Sequence, residues 1–144
     1  MPQVIGPGPD NDLLISREVF QEVRNIDSVH LVDHDLTPEE LKYLYSKMDL
    51  FVGTRMHSNI FALSEHVPCV AISYDLKTDG IMQDVGLGDY VLDIKGIKEK
   101  ELIQKVDRAI HSLDLMKEIL ALSVPKIKEK SRLNNDLLKQ VIHG

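Results

Sequence analysis

Residues 49–74 have the sequence DLFVGTRMHSNIFALSEHVPCVAISY. Two apolar, β-branched runs lie at residues 49–54 and 68–74, and the segment at residues 57–65 between them has the pattern of a helix. The second run is bounded by turn signals, as expected for a strand that is buried on both faces. A strand, a helix and a second strand in this order predict parallel pairing through a right-handed crossover.

The same alternation continues on both sides of this segment. Before it, residues 29–33 predict a strand and residues 37–48 a helix, with Thr37 as N-cap, Pro38 at the first helical position and Glu40 completing a capping box. After it come a short helix at 78–85, a strand at 90–94 and a helix at 98–113, and the rest of the chain is helical with an interruption near Pro125. We therefore predict an α/β fold with a Rossmann-like, doubly wound parallel sheet and C-terminal helices.

Two regions of the chain are expected to differ in structure. Residues 1–113 are predicted to form the Rossmann-like α/β domain, truncated at its N-terminus, because residues 2–8 resemble the end of a strand and a Gly/Pro loop with no complete strand–helix unit before them. Residues 114–144 are predicted to be a helical extension that packs on this domain. Its stripe of Leu133, Leu137 and Val141 is expected to be exposed, or buried in a homodimer.

The composition excludes several classes of protein. The 144 residues carry a net charge of −6, and residues 1–94 alone contain six basic and sixteen acidic residues, which argues against a nucleic-acid surface. Residues 1–9 lack the features of a signal peptide, and no apolar run approaches the roughly 20 residues that span a bilayer. The single cysteine, Cys69, lies in an apolar run and is predicted to be a buried free thiol. We predict a cytoplasmic protein.

The candidate ligand site lies where the predicted strands end. In open α/β sheets, ligands bind beyond the C-terminal ends of the strands, where helix N-termini offer free amides. Arg55 and Lys77 each follow such a strand, and Gly53 would allow close approach of the backbone to a ligand. Arg55 is suited to a carboxylate or phosphate, with His57 able to move a proton and the amides after Met56 facing the anion. Each residue also has a simpler explanation: Arg55 in a surface ion pair, His57 as a helix cap, Lys77 as solvated surface. The histidines lack metal-ligand spacing, so we predict no metal.

Two segments carry a resemblance to a known family. The sequences DLFVGTRMHSNIFAL at residues 49–63 and VPCVAISYDLKTDG at residues 67–80 resemble the signature region of polysaccharide pyruvyl transferases, and the likeness covers roughly residues 29–94. Two positions depart from the family pattern. His66 stands where glycine is usual, at a helix end that favours a left-handed residue, and Leu76 stands where proline is usual.

The resemblance implies a function for the complete protein. Such an enzyme is expected to have a two-domain, glycosyltransferase-B-like architecture, of which this chain is the C-terminal, donor-binding half. It would transfer a pyruvyl ketal from phosphoenolpyruvate to a saccharide acceptor of a cell-envelope polysaccharide, with no further cofactor. The isolated 144 residues, without an N-terminal domain, are expected to be inactive.

The resemblance also assigns roles to residues. Arg55 and His57 match the family's Arg-x-His pair and are the predicted catalytic residues. The full predicted substrate-binding set is Gly53, Arg55, Met56, His57, Ser58 and Lys77.

Two other functions remain open at this point. The chain could be half of a nucleotide-sugar glycosyltransferase, with Asp75 or Asp79 recruited to bind ribose hydroxyls. It could also be a non-catalytic interaction module that retains the fold. Binding of phosphoenolpyruvate would favour the pyruvyl transferase, and binding of a uridine nucleotide would favour the glycosyltransferase. Binding of neither ligand would favour the interaction module.

Overall fold

A computed structural model of the protein describes residues 11–23 and 26–143. It describes the backbone alone at residue 26 and residues 134–143. The chain divides into two compact units, residues 1–38 and residues 39–144. The strand end and Gly/Pro loop that were predicted at residues 2–8 lie outside the described residues. The predicted domain division after residue 113 is not tested by this partition and stays a prediction.

The described residues of the first unit contain one α-helix. Helix α1 spans Asp12–Glu22, and the Asn11 side chain caps it by accepting a hydrogen bond from the Leu13 amide at 3.0 Å. A single 3₁₀ turn follows at Ile26–Ser28. Residues 29–37 have irregular backbone, so the predicted strand at residues 29–33 is wrong. A β-branched run shows only that a segment is compatible with a strand, whereas a strand also needs a neighbour for its backbone hydrogen bonds.

The second unit contains a parallel sheet of three strands. They are β1 (Phe51–Gly53), β2 (Cys69–Ser73) and β3 (Val91–Asp93), in the order β1-β2-β3 with both pairings parallel. The helices are α2 (Pro38–Tyr45), α3 (Met56–Ser64), α4 (Leu76–Asp84), α5 (Glu99–His111) and α6 (Leu113–His143). The α/β class with parallel strands and C-terminal helices is confirmed. The strands from residue 49 onward and helices α3 to α5 lie within two residues of their predicted bounds. Helix α2 ends three residues early, and turn hydrogen bonds continue the chain to Met48.

The backbone at His66 ends α3 in the way that the sequence indicated. His66 has a left-handed φ of 61°, and the amide of Val67 reaches back to the Ala62 carbonyl at 3.0 Å. This is the hydrogen-bond pattern of a helix end closed by a left-handed residue, a position usually held by glycine. The turn leads into β2. His66 therefore adopts the left-handed conformation that glycine usually supplies at such a helix end.

The core lies between the sheet and the helices that cover it. Val70 and Ala71 of the central strand are completely buried, as are Met116 and Leu120 of α6. Cys69 is a buried free thiol as predicted, and burial raises its pKa far above the usual range.

Helix α6 is continuous through Pro125, so the predicted interruption there is wrong. A proline removes one helical hydrogen bond, but Pro125 is exposed and water can serve the freed carbonyl. Burial of Met116, Leu120 and Val124 holds the helix against the core before the proline. Leu133 is 56% exposed, whereas the side chains of Leu137 and Val141 lie outside the described residues, and the homodimer stays a prediction. No helix in the described part of the chain combines the length and apolar character needed to cross a membrane.

Candidate functional site

The site lies at the carboxyl edge of the sheet, where β1 and β2 each lead directly into a helix. Because β1 and β2 are parallel, their C-terminal ends meet at the same edge, and both α3 and α4 begin there. Arg55 is the N-cap residue of α3, with an extended backbone at φ −81° and ψ 128°. Asp75 is the N-cap residue of α4, two residues before Lys77. The sequence therefore placed Arg55 and Lys77 correctly at adjacent strand ends.

The predicted site residues differ in how far they reach solvent. His57 and Lys77 are exposed, and Arg55 and Met56 are partly exposed, so none of these four side chains is fully sunk in the core. Gly53 and Ser58 are buried. The Ser58 hydroxyl donates a hydrogen bond to the Arg55 carbonyl at 2.6 Å, so it faces its own helix turn. The binding and catalytic roles of all six residues stay predictions.

Gly53 is required by its own surroundings. A Cβ atom built at this position would collide with the Phe51 ring and with Oδ1 of Asn59. The sequence suggested that this glycine admits a ligand, but the space beside its Cα is already filled by two side chains of the chain itself. Gly53 therefore allows α3 to approach the end of β1 closely.

The two helix N-termini at this edge differ in how their amides are satisfied. The Asp75 carboxylate accepts a hydrogen bond from the Thr78 amide at 2.9 Å, so α4 already has an anionic cap. Arg55 makes no side-chain cap on α3, and its guanidinium is a cation. A helix N-terminus attracts anions through its free amides and its dipole. The N-terminus of α3 is therefore the better position for an anionic ligand, because α4 presents a carboxylate where the ligand would bind.

The Asp75 cap gives a testable dependence of stability on pH. The hydrogen bond from the Thr78 amide holds the pKa of Asp75 below its ordinary value of 3.8. A carboxylate whose pKa is lowered in the folded state stabilises the fold. This stabilisation is fully present at pH values above the pKa of the same group in the unfolded chain, and it is lost as the pH falls below 3.8 through the folded pKa. Asp75→Asn keeps a capping side chain but removes the charge. We expect its melting temperature to lie below that of the wild type at pH 7, with the difference shrinking in acid. Thermal unfolding followed by circular dichroism checks this, and a difference that is the same at pH 7 and pH 2.5 would contradict it.

Buried polar side chains lie beneath the first turn of α3, and sequence reasoning missed them. Asn59 is 1% exposed, and its Oδ1 accepts a hydrogen bond from the Cys69 thiol at 3.4 Å. Tyr45 is completely buried, and its ring lies 5.1 Å from the Phe51 ring between centroids. The sequence offered one signal for Asn59, because it lies three and four residues before the buried Ala62 and Leu63, a polar residue on the core-facing stripe.

The fold and the site define an α/β protein with an arginine-bearing helix N-terminus at the carboxyl edge of a parallel sheet. A sequence model of the polysaccharide pyruvyl transferase family matches residues 4–75, which is half of the chain. The chain belongs to the polysaccharide pyruvyl transferase family.

A curated relative agrees with this assignment. The amylovoran biosynthesis protein AmsJ of Erwinia amylovora is 25% identical over 132 residues, which cover 91% of this chain and 32% of that protein. This chain thus spans about a third of the length of that relative. No solved structure matches the chain.

Proposed function

We propose that this chain supplies the phosphoenolpyruvate-binding half of a polysaccharide pyruvyl transferase with a glycosyltransferase-B-like, Rossmann-type architecture. The observation that carries the proposal is the N-terminus of α3, where Arg55 follows β1 at the carboxyl edge of the sheet and makes no side-chain cap. The family membership supports a transferase of polysaccharide biosynthesis. The amides of the first turn and the guanidinium are suited to the carboxylate and phosphate of the donor.

The proposed reaction needs an anion site and a proton donor close together. Protonation of the enol carbon of phosphoenolpyruvate makes its neighbouring carbon electrophilic, and one sugar hydroxyl adds there with loss of its proton. A second sugar hydroxyl then displaces the phosphate, which leaves as inorganic phosphate and completes the ketal. Arg55 would stabilise the negative charge on the leaving phosphate, and His57, exposed in the next turn, would deliver or accept a proton.

The remaining predicted residues would support this site. Met56 and Ser58 would contribute first-turn amides, and Gly53 would keep the helix close to the strand end. Lys77 is exposed in the first turn of α4, beside a carboxylate cap, and we assign it a secondary role in donor binding. The saccharide acceptor would bind mainly outside this chain, so the 144 residues alone are expected to bind donor without transferring it. We place the reaction in the cytoplasm.

Calorimetric titration of the chain with phosphoenolpyruvate and, separately, with uridine diphosphate tests the proposal. We expect heat of binding and a raised melting temperature with phosphoenolpyruvate and neither effect with uridine diphosphate. Inorganic phosphate serves as the control for anion binding without the enolpyruvyl group, and it should bind more weakly. Binding of uridine diphosphate in place of phosphoenolpyruvate would favour a nucleotide-sugar glycosyltransferase and refute the proposal.

A further inference from the structure

Two large apolar side chains are exposed at the carboxyl edge of the sheet, beside the proposed anion site. Tyr74 directly follows β2 and is 48% exposed, and Ile94 directly follows β3 and is 43% exposed. Ser73 pairs with Asp93, so the next residues, Tyr74 and Ile94, lie at the same level of this edge. The Ile94 amide also donates to the Ser73 carbonyl at 2.8 Å, which holds the two segments side by side. We call the pair Tyr74 and Ile94 the Tyr74 shelf.

The Tyr74 shelf takes no part in the packing of the described core. Neither residue belongs to the core cluster, and the Tyr74 ring pairs with no other aromatic ring among the described residues. The Tyr74 hydroxyl has no hydrogen-bond partner within the same part of the chain. A tyrosine side chain has an apolar body and a polar tip, so this one offers a ligand both an apolar face and a hydroxyl group. Adjacent exposed apolar side chains at a ligand-binding edge are typical of a contact surface.

The Tyr74 shelf begins one strand away from the proposed anion site. Gly53 of β1 pairs with Ala71 of β2, and Arg55 and Tyr74 follow this pair by two and three residues. Neighbouring strands in a sheet lie about 5 Å apart, so the two segments leave the edge close together. A molecule that rests on the shelf is therefore within reach of a donor held at Arg55.

The polar groups beside the shelf suit a ligand that carries hydroxyl groups. Asp75 and Asp93 adjoin Tyr74 and Ile94 in the chain, and Asp93 is exposed. The Lys95 amide donates to the Asp93 carboxylate at 2.8 Å, which holds that carboxylate at the end of β3. Carboxylates accept hydrogen bonds from hydroxyl groups. The surroundings therefore combine an apolar platform with hydrogen-bond acceptors at its rim.

We propose that the Tyr74 shelf binds one sugar ring of the saccharide acceptor, an inference that rests on the proposed function. A pyranose ring carries C–H bonds on its faces and hydroxyl groups around its rim. Its C–H face would cover the Tyr74 ring and Ile94, while the Tyr74 hydroxyl and the Asp93 carboxylate would hydrogen-bond to its hydroxyl groups. The shelf would thus hold an acceptor hydroxyl near the donor at Arg55. It binds the sugar and transfers no proton.

The test is a titration of the ¹⁵N-labelled chain with methyl β-D-glucopyranoside and with methyl β-D-galactopyranoside, followed by NMR. We expect at least one glycoside to shift the amides of Tyr74 and Ile94 in a saturable manner. Tyr74→Ala should bind that glycoside roughly tenfold more weakly, whereas Tyr74→Phe, which keeps the ring, should stay within about threefold of the wild type. Ile94→Ser removes the other half of the shelf and should also weaken binding. Tyr43→Ala is the matched control, because Tyr43 is 67% exposed on α2, and it should bind as the wild type does.

Several outcomes would overturn the inference. They are no shift of the Tyr74 and Ile94 amides with either glycoside, and equal affinity in Tyr74→Ala and the wild type. Shifts with uridine but with neither glycoside would assign the shelf to a nucleobase, and shifts on raising the protein concentration alone would assign it to a second copy of the chain. A parallel titration of the wild type with phosphoenolpyruvate tests the proposed function separately. Glycoside binding without phosphoenolpyruvate binding would refute the proposed function and leave the sugar site standing, and the reverse result would refute the sugar site alone.

Discussion

Arg55→Ala is expected to bind phosphoenolpyruvate about a hundredfold more weakly than the wild type, because it removes charge-assisted hydrogen bonds to a carboxylate or phosphate. The side chain is partly exposed at the start of α3 and belongs to no apolar cluster of the described core, so the fold should persist. Calorimetric titration gives the affinity, and thermal unfolding confirms the fold. The affinity of Arg55→Lys for phosphoenolpyruvate should lie between those of the wild type and Arg55→Ala, since an ammonium retains the charge but not the planar pair of donors.

Arg108→Ala is the matched control for the loss of an arginine. Arg108 is exposed and pairs with Asp89 at 3.4 Å, and it lies over the ring of Tyr90. Tyr90 immediately precedes β3, so Arg108 lies at the opposite edge of the parallel sheet from Arg55. We expect its removal to leave phosphoenolpyruvate affinity unchanged. Equal losses in the two variants, or unchanged affinity in Arg55→Ala, would show that the anion does not bind at Arg55.

Gly53→Ala is expected to lower the free energy of unfolding by about 3 kcal/mol, the upper end of the usual cost of overpacking a core. The added methyl group would meet the Phe51 ring and Oδ1 of Asn59. Phe51 contacts the Tyr45 ring, and Asn59 is buried and hydrogen-bonded to Cys69, so moving either side chain would disturb an existing contact. Either side chain, or the turn into α3, must shift. We expect phosphoenolpyruvate affinity to fall as well, because the shifted turn carries Arg55.

Gly80→Ala separates this steric effect from the general effect of replacing glycine. Gly80 lies inside α4, and a Cβ atom at this position would meet nothing within 4 Å. Alanine is favoured over glycine in a helix interior, so this variant should be more stable by about 0.5–1 kcal/mol. Urea unfolding of both variants measures the difference. A Gly53→Ala variant as stable as the wild type would show that the close approach of α3 to β1 is not as described.

The sequence predicted the part of the fold that depends on local pattern. Strands β1 to β3 and helices α3 to α5 follow from apolar runs and turn signals, and the left-handed residue at His66 followed from its place at a helix end. The prediction failed where the outcome depends on distant partners. Residues 29–33 have the composition of a strand, but they pair with no strand among the described residues. Pro125 does not break α6, because packing on both sides outweighs one lost hydrogen bond.

The candidate site was only partly predictable for the same reason. Position at a strand end identified Arg55 and Lys77, because the topology of a parallel sheet fixes that edge. The hydrogen bond between Asn59 and Cys69 could not be predicted, since the two residues lie ten positions apart and only the packing of α3 on β2 brings them together. The anionic cap at Asp75, which makes α4 the poorer anion site, likewise needs the side-chain geometry.

The position of the donor can be observed directly by adding phosphoenolpyruvate to the ¹⁵N-labelled chain and following the amide resonances. Helix α5 provides an internal control, because it also begins without a side-chain cap, but its N-cap is Lys98 and its first turn contains Glu99 and Glu101. We predict that the amides of Met56, His57 and Ser58 shift in a saturable manner, while those at the start of α5 do not. Equal shifts at both helix N-termini, or no shift at α3, would contradict the assignment of the anion site to Arg55 and the first turn of α3.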